Sequence, residues 1–142
     1  MILYLDTSSL VKLYVNEEGS DDVRGQVAEA AVVTTSQIAY AEGRAALARR
    51  RRERALRPRG FLAAKHAFEA DWPHLVAIDV TADLCHEAGA LAERYALRGF
   101  DAVHLAAFAE VLRGVQGRAD VQFSCFDGPL NRAAAKLARS IR

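Results

Sequence analysis

The sequence contains few of the residues that would mark a specialised class of protein. Its 142 residues include only two cysteines, three prolines, one methionine and one tryptophan. So few prolines exclude a proline-rich disordered or fibrous chain, and 51% hydrophobic with 26% charged residues is the composition of a globular protein. The length predicts a single domain over residues 1–142, with one core that buries roughly two-thirds of the unfolded surface.

The two cysteines and the short hydrophobic runs exclude several other classes. Cys85 and Cys125 belong to no C-x-x-C motif, so neither a zinc site nor a disulfide framework is predicted, and we interpret both as buried free thiols. The apolar run Met1–Leu5 stops at Asp6, lacks a basic flank and is far shorter than a secretory signal or a membrane span. We therefore expect a cytoplasmic protein without a membrane partner.

An excess of charge of either sign is also absent, because the formal net charge is +1. That value alone favours neither a polyanionic nor a polycationic partner. The arginines, however, are concentrated in a segment whose only acid is Glu53, which predicts a local basic surface. This arginine segment contains Arg44, Arg49, Arg50, Arg51, Arg52, Arg54, Arg57 and Arg59.

Short apolar runs alternate along the chain with longer helical patterns. Pro58 and Gly60 are expected to break the long helix that begins near Ser36, and Thr81 to cap a later helix that ends at Gly99 in the left-handed conformation. This alternation predicts an α/β fold, a three-layer α/β/α sandwich with a mostly parallel central sheet and right-handed crossovers. Strands are predicted at residues 2–5, 31–35, 75–78 and 121–126.

Four acids that lie far apart in the sequence are expected at one edge of this sheet. Asp6 follows the first strand, Asp127 follows the last, and Glu42 and Asp101 lie early in helices that begin at the same edge, where ligands bind in such sheets. Converging carboxylates repel one another and need a cation among them. Oxygen ligands without histidine or thiolate match Mg²⁺ or Mn²⁺, and phosphodiester hydrolysis suits such an ion.

Each of these acids also has a structural interpretation. Asp6 and Asp101 could cap helices, Asp127 could start a turn, and Glu42 could be solvated. Spacing alone leaves the structural and the metal-binding interpretations open.

Four segments follow one another across nearly the whole chain: ILYLDTSSLVKLY, TTSQIAYAEGRAAL, LRGFDAVHLAA and FSCFDGPLNRAA. In this order they resemble the signature regions of PIN-domain proteins, and most of all the VapC toxins of toxin-antitoxin pairs. The resemblance implies that Asp6, Glu42 and Asp101 are the three core acids and that Asp127 is the more variable fourth. It also implies a Mg²⁺- or Mn²⁺-dependent endoribonuclease with an RNA substrate, a cognate antitoxin and a homodimeric state.

Several other polar residues have two interpretations each. Thr7 or Ser8 could orient a metal-bound water or cap the first helix. His104 shares a helical face with Asp101, and we favour a hydrogen-bonded core histidine over a catalytic one. Asn131 could point toward the metal site or be exposed.

The arginine segment has three interpretations: an RNA-binding surface, a solvated helix end, or a groove for the antitoxin. The RNA-binding candidates are Arg49, Arg50, Arg51, Arg52 and Arg54. For the homodimer, apolar helices flanking Tyr40, Leu47, Leu84 and Leu91 could supply the interface if the core does not use them wholly.

Two other functions are considered. A phosphatase of the haloacid-dehalogenase type also has an aspartate after its first strand, but it needs a second aspartate two residues later, where this chain has Ser8. A PIN-like module that binds RNA or protein without cutting is the other alternative. Four clustered acids argue against it, because a pure binder gains nothing from mutually repelling carboxylates.

Overall fold

The computed structural model describes residues 1–141 and contains a four-stranded sheet in which every strand is parallel. The strand order is β3-β2-β1-β4, so β1 lies inside the sheet and β3 and β4 form its edges. The α/β class and the parallel sheet are thus confirmed. The strands are β1 Ile2–Leu5, β2 Val32–Ser36, β3 Val76–Ile78 and β4 Val121–Ser124.

Helices cover both faces of the sheet, as the three-layer prediction requires. Successive side chains of a strand point to opposite faces, and β1 accordingly contributes to both layers. Tyr4 packs with α5, α6 and α7, whereas Leu3 and Leu5 pack with α1 to α4. The helices are α1 Thr7–Val11, α2 Ser20–Glu29, α3 Ile38–Arg52, α4 Pro58–Asp71, α5 Ala82–Tyr95, α6 Gly99–Val115 and α7 Gly128–Ile141.

The order of the strands determines where a binding crevice forms. The chain proceeds from β1 to β2 to β3 on one side of β1, and then crosses to place β4 on the other side. The connections that leave β1 and β4 therefore diverge at the carboxyl ends of these two neighbours, and a crevice opens there. The backbone N–H of Asp6 still bonds the carbonyl of Ser124 at 3.1 Å, so Asp6 lies directly at this point.

Two predicted helix ends are wrong. Helix α3 ends before Pro58, because Arg54 adopts a left-handed φ of 61°, and Gly60 lies inside α4. Similarly, α5 ends at Tyr95 and is followed by a left-handed C-cap at Ala96, with φ 54°, whereas Gly99 is the first residue of α6. In both cases a residue other than glycine accepts the strained conformation because hydrogen bonds to the preceding helix turn hold the chain there.

The prediction that both cysteines are buried is right for Cys125 and wrong for Cys85, which is exposed. Helix α5 buries Leu84, Ala88 and Leu91 at helical spacing. Cys85 lies between the first two of these and therefore points away from the core.

Three of the four residues considered for a dimer interface are used by the core and do not meet the condition set for them. Leu47, Leu84 and Leu91 are between 1% and 6% exposed and belong to the core. Tyr40 is partly buried, and its hydroxyl donates to Glu69 at 2.6 Å. No helix within residues 1–141 is long and apolar enough to cross a membrane.

Gly43 in α3 leaves room for the buried ring of Phe68 in α4, and we predict that Gly43→Ala destabilises the protein. A Cβ at Gly43 would lie 2.9 Å from Phe68 Cζ, and that ring is held by contacts with Tyr14, Tyr40 and Trp72. Such overpacking typically costs about 1–3 kcal/mol, which chemical denaturation would measure.

Gly89→Ala in α5 is the matched control for this substitution. Gly89 is an exposed position inside a helix, and an added Cβ would meet nothing within 4 Å. Alanine there should raise the free energy of unfolding by about 0.5–1 kcal/mol. Equal effects of the two substitutions would contradict the close packing of α3 against α4.

Candidate active site

The structure brings the four predicted acids together around one cavity of about 270 Å³ at the carboxyl edge of the sheet. Asp6 follows β1, Asp127 follows β4, and Glu42 and Asp101 lie in α3 and α6. More than a hundred residues of sequence separate the first acid from the last, so only the sheet topology makes them neighbours. The cavity is lined by Asp6, Thr7, Ser8, Glu42, Arg98, Asp101, His104, Phe126 and Asp127.

Asp6 is 5% exposed and is the N-cap of α1, the structural role that the sequence left open for it beside metal binding. Its Oδ1 accepts from the backbone N–H of Ser9 at 2.9 Å and from the hydroxyl of Ser8 at 2.7 Å. Burial raises the pKa of Asp6, and the nearby charge of Asp101 raises it further, although both hydrogen bonds oppose the change. Asp6 is thus a desolvated acid, held in place through one of its oxygens.

Glu42 lies in a different environment, because two side chains donate to its carboxylate. Thr7 Oγ1 donates to Glu42 Oε1 at 2.6 Å, and His104 Nε2 lies 3.1 Å from the same oxygen. Burial acts to raise the pKa of Glu42, but the bonds from His104 and Thr7 outweigh it, so the pKa is lowered. Thr7 therefore contacts an acid of the site, in addition to beginning α1.

His104 is 2% exposed and hydrogen-bonded on both ring nitrogens, the arrangement that the sequence analysis favoured. Its Nδ1 lies 2.8 Å from the hydroxyl of Tyr4, and its Nε2 faces Glu42 and Thr7. The ring also lines the cavity. His104 thus connects the core to the acidic site, and Tyr4, which gave no sequence signal beyond its place in an apolar strand, is part of that connection.

Arg98 is a residue of the site that the sequence analysis missed. Its Nε donates to Asp101 Oδ2 at 3.0 Å, with the Asp101 side chain 18% exposed and the Arg98 side chain 81% exposed. The signal that could have identified it is the spacing of three residues, which puts the two side chains next to each other at the start of α6.

Asp127 directly precedes α7, at the place where the sequence analysis considered a turn or a metal ligand. Its Oδ2 accepts from the backbone N–H of Leu130 at 3.0 Å, and its carbonyl accepts from the N–H of Asn131. The side chain of Asn131 donates to the carbonyl of Cys125 at 3.0 Å, and this residue does not line the cavity. Asn131 therefore holds the loop between β4 and α7.

The chemical types of these ligands fit Mg²⁺ or Mn²⁺, because the cavity offers carboxylate and hydroxyl oxygens and contains no thiolate. As the side chains stand, however, no three His, Cys, Asp or Glu residues within residues 1–141 are arranged to hold a metal ion. The reason is visible in the contacts: Glu42 is turned toward Thr7 and His104, and Asp101 toward Arg98. A bound cation would have to displace Arg98 from Asp101 and use Oε2 of Glu42, the oxygen that Thr7 and His104 do not contact.

The arginine segment does not present a uniform row of free guanidinium groups. Arg50 makes two bonds to Glu17, at 2.9 and 3.2 Å, and Arg49 bonds Glu53 at 2.9 Å. Arg51 lies over the ring of Phe61, 5.1 Å from its centroid. Arg52 and Arg54 are exposed, and neither forms an ion pair with any residue in the part of the chain that the structure describes.

Known proteins resemble this chain in sequence and in fold. Residues 3–112 match the family model described as PIN domain. Ribonuclease VapC45 and Ribonuclease VapC49, from two strains of Mycobacterium tuberculosis, are each 37% identical to this chain over 105 residues, which are 74% of this chain and 73% of the relative.

A solved structure is similar as well. The crystal structure of Mycobacterium tuberculosis VapC20, described as a sarcin-ricin loop cleaving toxin, has a TM-score of 0.66 to this chain and covers 92% of it and 94% of its own length. Its sequence identity is 24%, so this likeness concerns the fold.

We predict that Asp6→Asn stabilises the protein at neutral pH in the presence of a chelator. Asparagine keeps the N-cap bonds but removes a buried charge. Because folding raises the pKa of Asp6, the wild-type protein loses stability as the pH rises through that pKa and the carboxyl ionises. The difference in free energy of unfolding between Asp6→Asn and the wild type should therefore shrink as the pH falls through the same pKa. Urea denaturation at several pH values would measure this difference.

Asp6→Ala separates the effect of the buried charge from the effect of the N-cap hydrogen bonds. It removes both, so it should be about 1 kcal/mol less stable than Asp6→Asn. If Asp6→Asn were less stable than the wild type at neutral pH, the ionised carboxylate would be a stabilising cap, and the electrostatic description of the site would be wrong.

Proposed function

This chain belongs to the PIN-domain family, and on that premise we propose that it is a single-domain, metal-dependent endoribonuclease, the toxin of a toxin-antitoxin pair. The observation that supports this proposal most directly is the convergence of Asp6, Glu42, Asp101 and Asp127 on one cavity at the switch point of a parallel sheet. The names of the two ribonuclease relatives support the reaction and the toxin role.

In this proposal, Asp6, Glu42, Asp101 and Asp127 hold Mg²⁺ or Mn²⁺. A bound ion would lower the pKa of the attacking water and neutralise charge on the phosphate oxygens. The chain itself fixes Asp6 through Ser8 and the N–H of Ser9.

The proposal also gives roles to the donors around the other acids. Thr7 and His104 fix Glu42. The exposed guanidinium of Arg98, once Asp101 turns to the metal, would be free to bind a phosphate oxygen at the mouth of the cavity.

Two alternatives have less support. A haloacid-dehalogenase-type phosphatase needs a lysine in the site, and the described residues that line the cavity include Arg98 but no lysine. A non-catalytic PIN-like binder would have no use for four acids around one cavity. Release of inorganic phosphate with intact RNA would identify the first, and RNA binding indifferent to Mg²⁺ would identify the second.

The partners follow from the same proposal. A toxin of this kind acts on RNA and is held inactive by a cognate antitoxin. The homodimer and the cytoplasmic location expected from the sequence stay predictions. Since Leu47, Leu84 and Leu91 belong to the core, a dimer would have to use other apolar side chains, of which the exposed ones include Leu62, Val76, Phe100 and Phe126.

We predict that Asp101→Asn removes RNA cleavage while the protein stays folded. The substitution keeps the shape of the side chain and removes one ligand charge. The cleavage rate should fall by more than the roughly 10- to 100-fold that is typical when a residue hydrogen-bonded to a metal ligand is lost. Cleavage of a mixed-sequence RNA in Mg²⁺, with circular dichroism as the test of folding, would measure both.

Asp83→Asn is the matched control for the loss of one carboxylate. Asp83 also lies in the first turn of a helix, but it is exposed and outside the cavity. Its replacement should leave cleavage unchanged. Near-normal cleavage by Asp101→Asn would exclude Asp101 from the active site.

For RNA binding, we predict that the free arginines at the end of α3 contribute to affinity. Replacing Arg52 and Arg54 by Gln should make the slope of log K for RNA binding against log salt concentration less steep by about 1.4. Each lost phosphate contact on single-stranded RNA accounts for about 0.7 of that slope. Arg52 lies ten residues, or about 15 Å, along α3 from Glu42, a distance suited to phosphates next to the cleaved bond. Fluorescence anisotropy at several salt concentrations would measure the slope.

The double variant Arg118→Gln and Arg139→Gln changes the net charge equally at a different place. Arg118 precedes β4 and Arg139 lies in the last turn of α7, so both lie near the amino ends of the strands, opposite the acids. This control should keep the salt slope. An unchanged slope in the Arg52 and Arg54 variant would assign that end of α3 to a solvated helix end or to the antitoxin.

A further inference from the structure

Three polar side chains form a hydrogen-bonded chain from the core to the candidate metal site. The hydroxyl of Tyr4 in β1 lies 2.8 Å from Nδ1 of His104 in α6, and Nε2 of His104 lies 3.1 Å from Oε1 of Glu42 in α3. Tyr4 is 0% exposed and His104 2% exposed. Three separate elements are thus connected through a buried tyrosine, a buried histidine and a glutamate whose side chain is 25% exposed.

Counting donors and acceptors assigns the protons along this chain. A tyrosine hydroxyl keeps its proton at neutral pH, since it ordinarily ionises only at about pH 10. His104 Nδ1 is the one partner that the described residues offer to that proton, so Tyr4 donates and Nδ1 accepts. The ring N–H then lies on Nε2, which is 3.1 Å from Oε1 of Glu42 and 3.0 Å from Oγ1 of Thr7.

The opposite tautomer would leave the hydroxyl of Tyr4 unsatisfied and place two acceptors next to each other. With the proton on Nδ1, the buried hydroxyl of Tyr4 would have no acceptor for its own hydrogen within the described residues. Moreover, the lone pair of Nε2 would face a carboxylate oxygen of Glu42 at 3.1 Å. A buried polar group without a partner typically costs about 1–3 kcal/mol, which is enough to select one tautomer.

We propose that Tyr4 and His104 are positioning residues that fix the orientation of Glu42. Tyr4 holds His104 in the Nε2–H tautomer, and His104 together with Thr7 donates to Oε1 of Glu42. The other carboxylate oxygen, Oε2, is then the one available to a cation. The role of Glu42 as a ligand rests on the proposed function, whereas the tautomer of His104 does not.

The first test is the ¹⁵N NMR spectrum of the His104 ring in the full chain at mildly alkaline pH. The expected spectrum is that of a single tautomer protonated on Nε2. A ring protonated on Nδ1, or an equal mixture of the two tautomers, would overturn the proposal. This result is independent of RNA cleavage and of any metal.

The second test is Mg²⁺ affinity, measured by calorimetry without RNA. His104→Leu should weaken binding by about 10- to 100-fold, as loss of a residue that orients a metal ligand typically does. His104→Gln offers an amide N–H near the position of Nε2 and should restore most of the affinity. That rescue separates positioning of Glu42 from general packing.

Tyr4→Phe keeps the packed ring and removes only the hydroxyl, so it tests the chain even if His104→Leu fails to fold. It should weaken Mg²⁺ binding by about 10-fold, the low end of the range for such residues. Tyr14→Phe is the matched control, because the hydroxyl of Tyr14 bonds Asp71 away from the cavity, and its loss should leave Mg²⁺ affinity unchanged.

The outcomes separate this inference from the proposed function. Wild-type Mg²⁺ affinity in both Tyr4→Phe and His104→Leu would refute the positioning role and leave the nuclease proposal intact. A wild-type protein that binds no Mg²⁺ would refute both. Loss of cleavage in Asp101→Asn, combined with unchanged Mg²⁺ affinity in the Tyr4 and His104 variants, would refute the positioning role alone.

Discussion

The burial of β1 on both faces is the constraint on which the rest of this structure depends. Leu3, Tyr4 and Leu5 are all 0% exposed, and burying side chains of this size contributes roughly 1.5–3 kcal/mol each. A parallel strand buried in this way needs helices on both sides, and the alternation of side chains assigns Tyr4 to one layer and its two neighbours to the other. Because β1 also lies between β2 and β4, its carboxyl end is the switch point where the four acids meet.

The acids at that point are not equivalent, and the difference is physical. Burial dominates at Asp6 and raises its pKa, whereas hydrogen bonds from His104 and Thr7 dominate at Glu42 and lower its pKa. Asp101 is paired with an exposed arginine. Protein donors thus partly neutralise carboxylates that would otherwise repel one another. This combination of convergence and local neutralisation is what the nuclease proposal depends on.

Some arginines of the arginine segment stabilise the fold, and others remain exposed. Arg50 joins α3 to the loop before α2 through Glu17, and the pKa of Glu17 is lowered chiefly by that bond. Arg51 covers the ring of Phe61 and so packs α3 toward α4. The basic charge left for a polyanion is therefore smaller than the sequence indicates, and it lies toward the end of the segment, where Arg52, Arg54, Arg57 and Arg59 are exposed and form no ion pair with a described residue.

The sequence by itself determined the local features: the apolar runs that become strands, the Thr81 cap, and the identity of the four acids with their places after strands or early in helices. These follow from periodicity and side-chain chemistry within a few residues. Only the tertiary structure decided the rest. It selected which residues end α3 and α5, placed Cys85 outside and the predicted interface leucines inside, and directed Arg50 to Glu17. It also joined Tyr4, His104 and Glu42, which are far apart in sequence, because hydrogen bonds between elements depend on packing distances that no local pattern encodes.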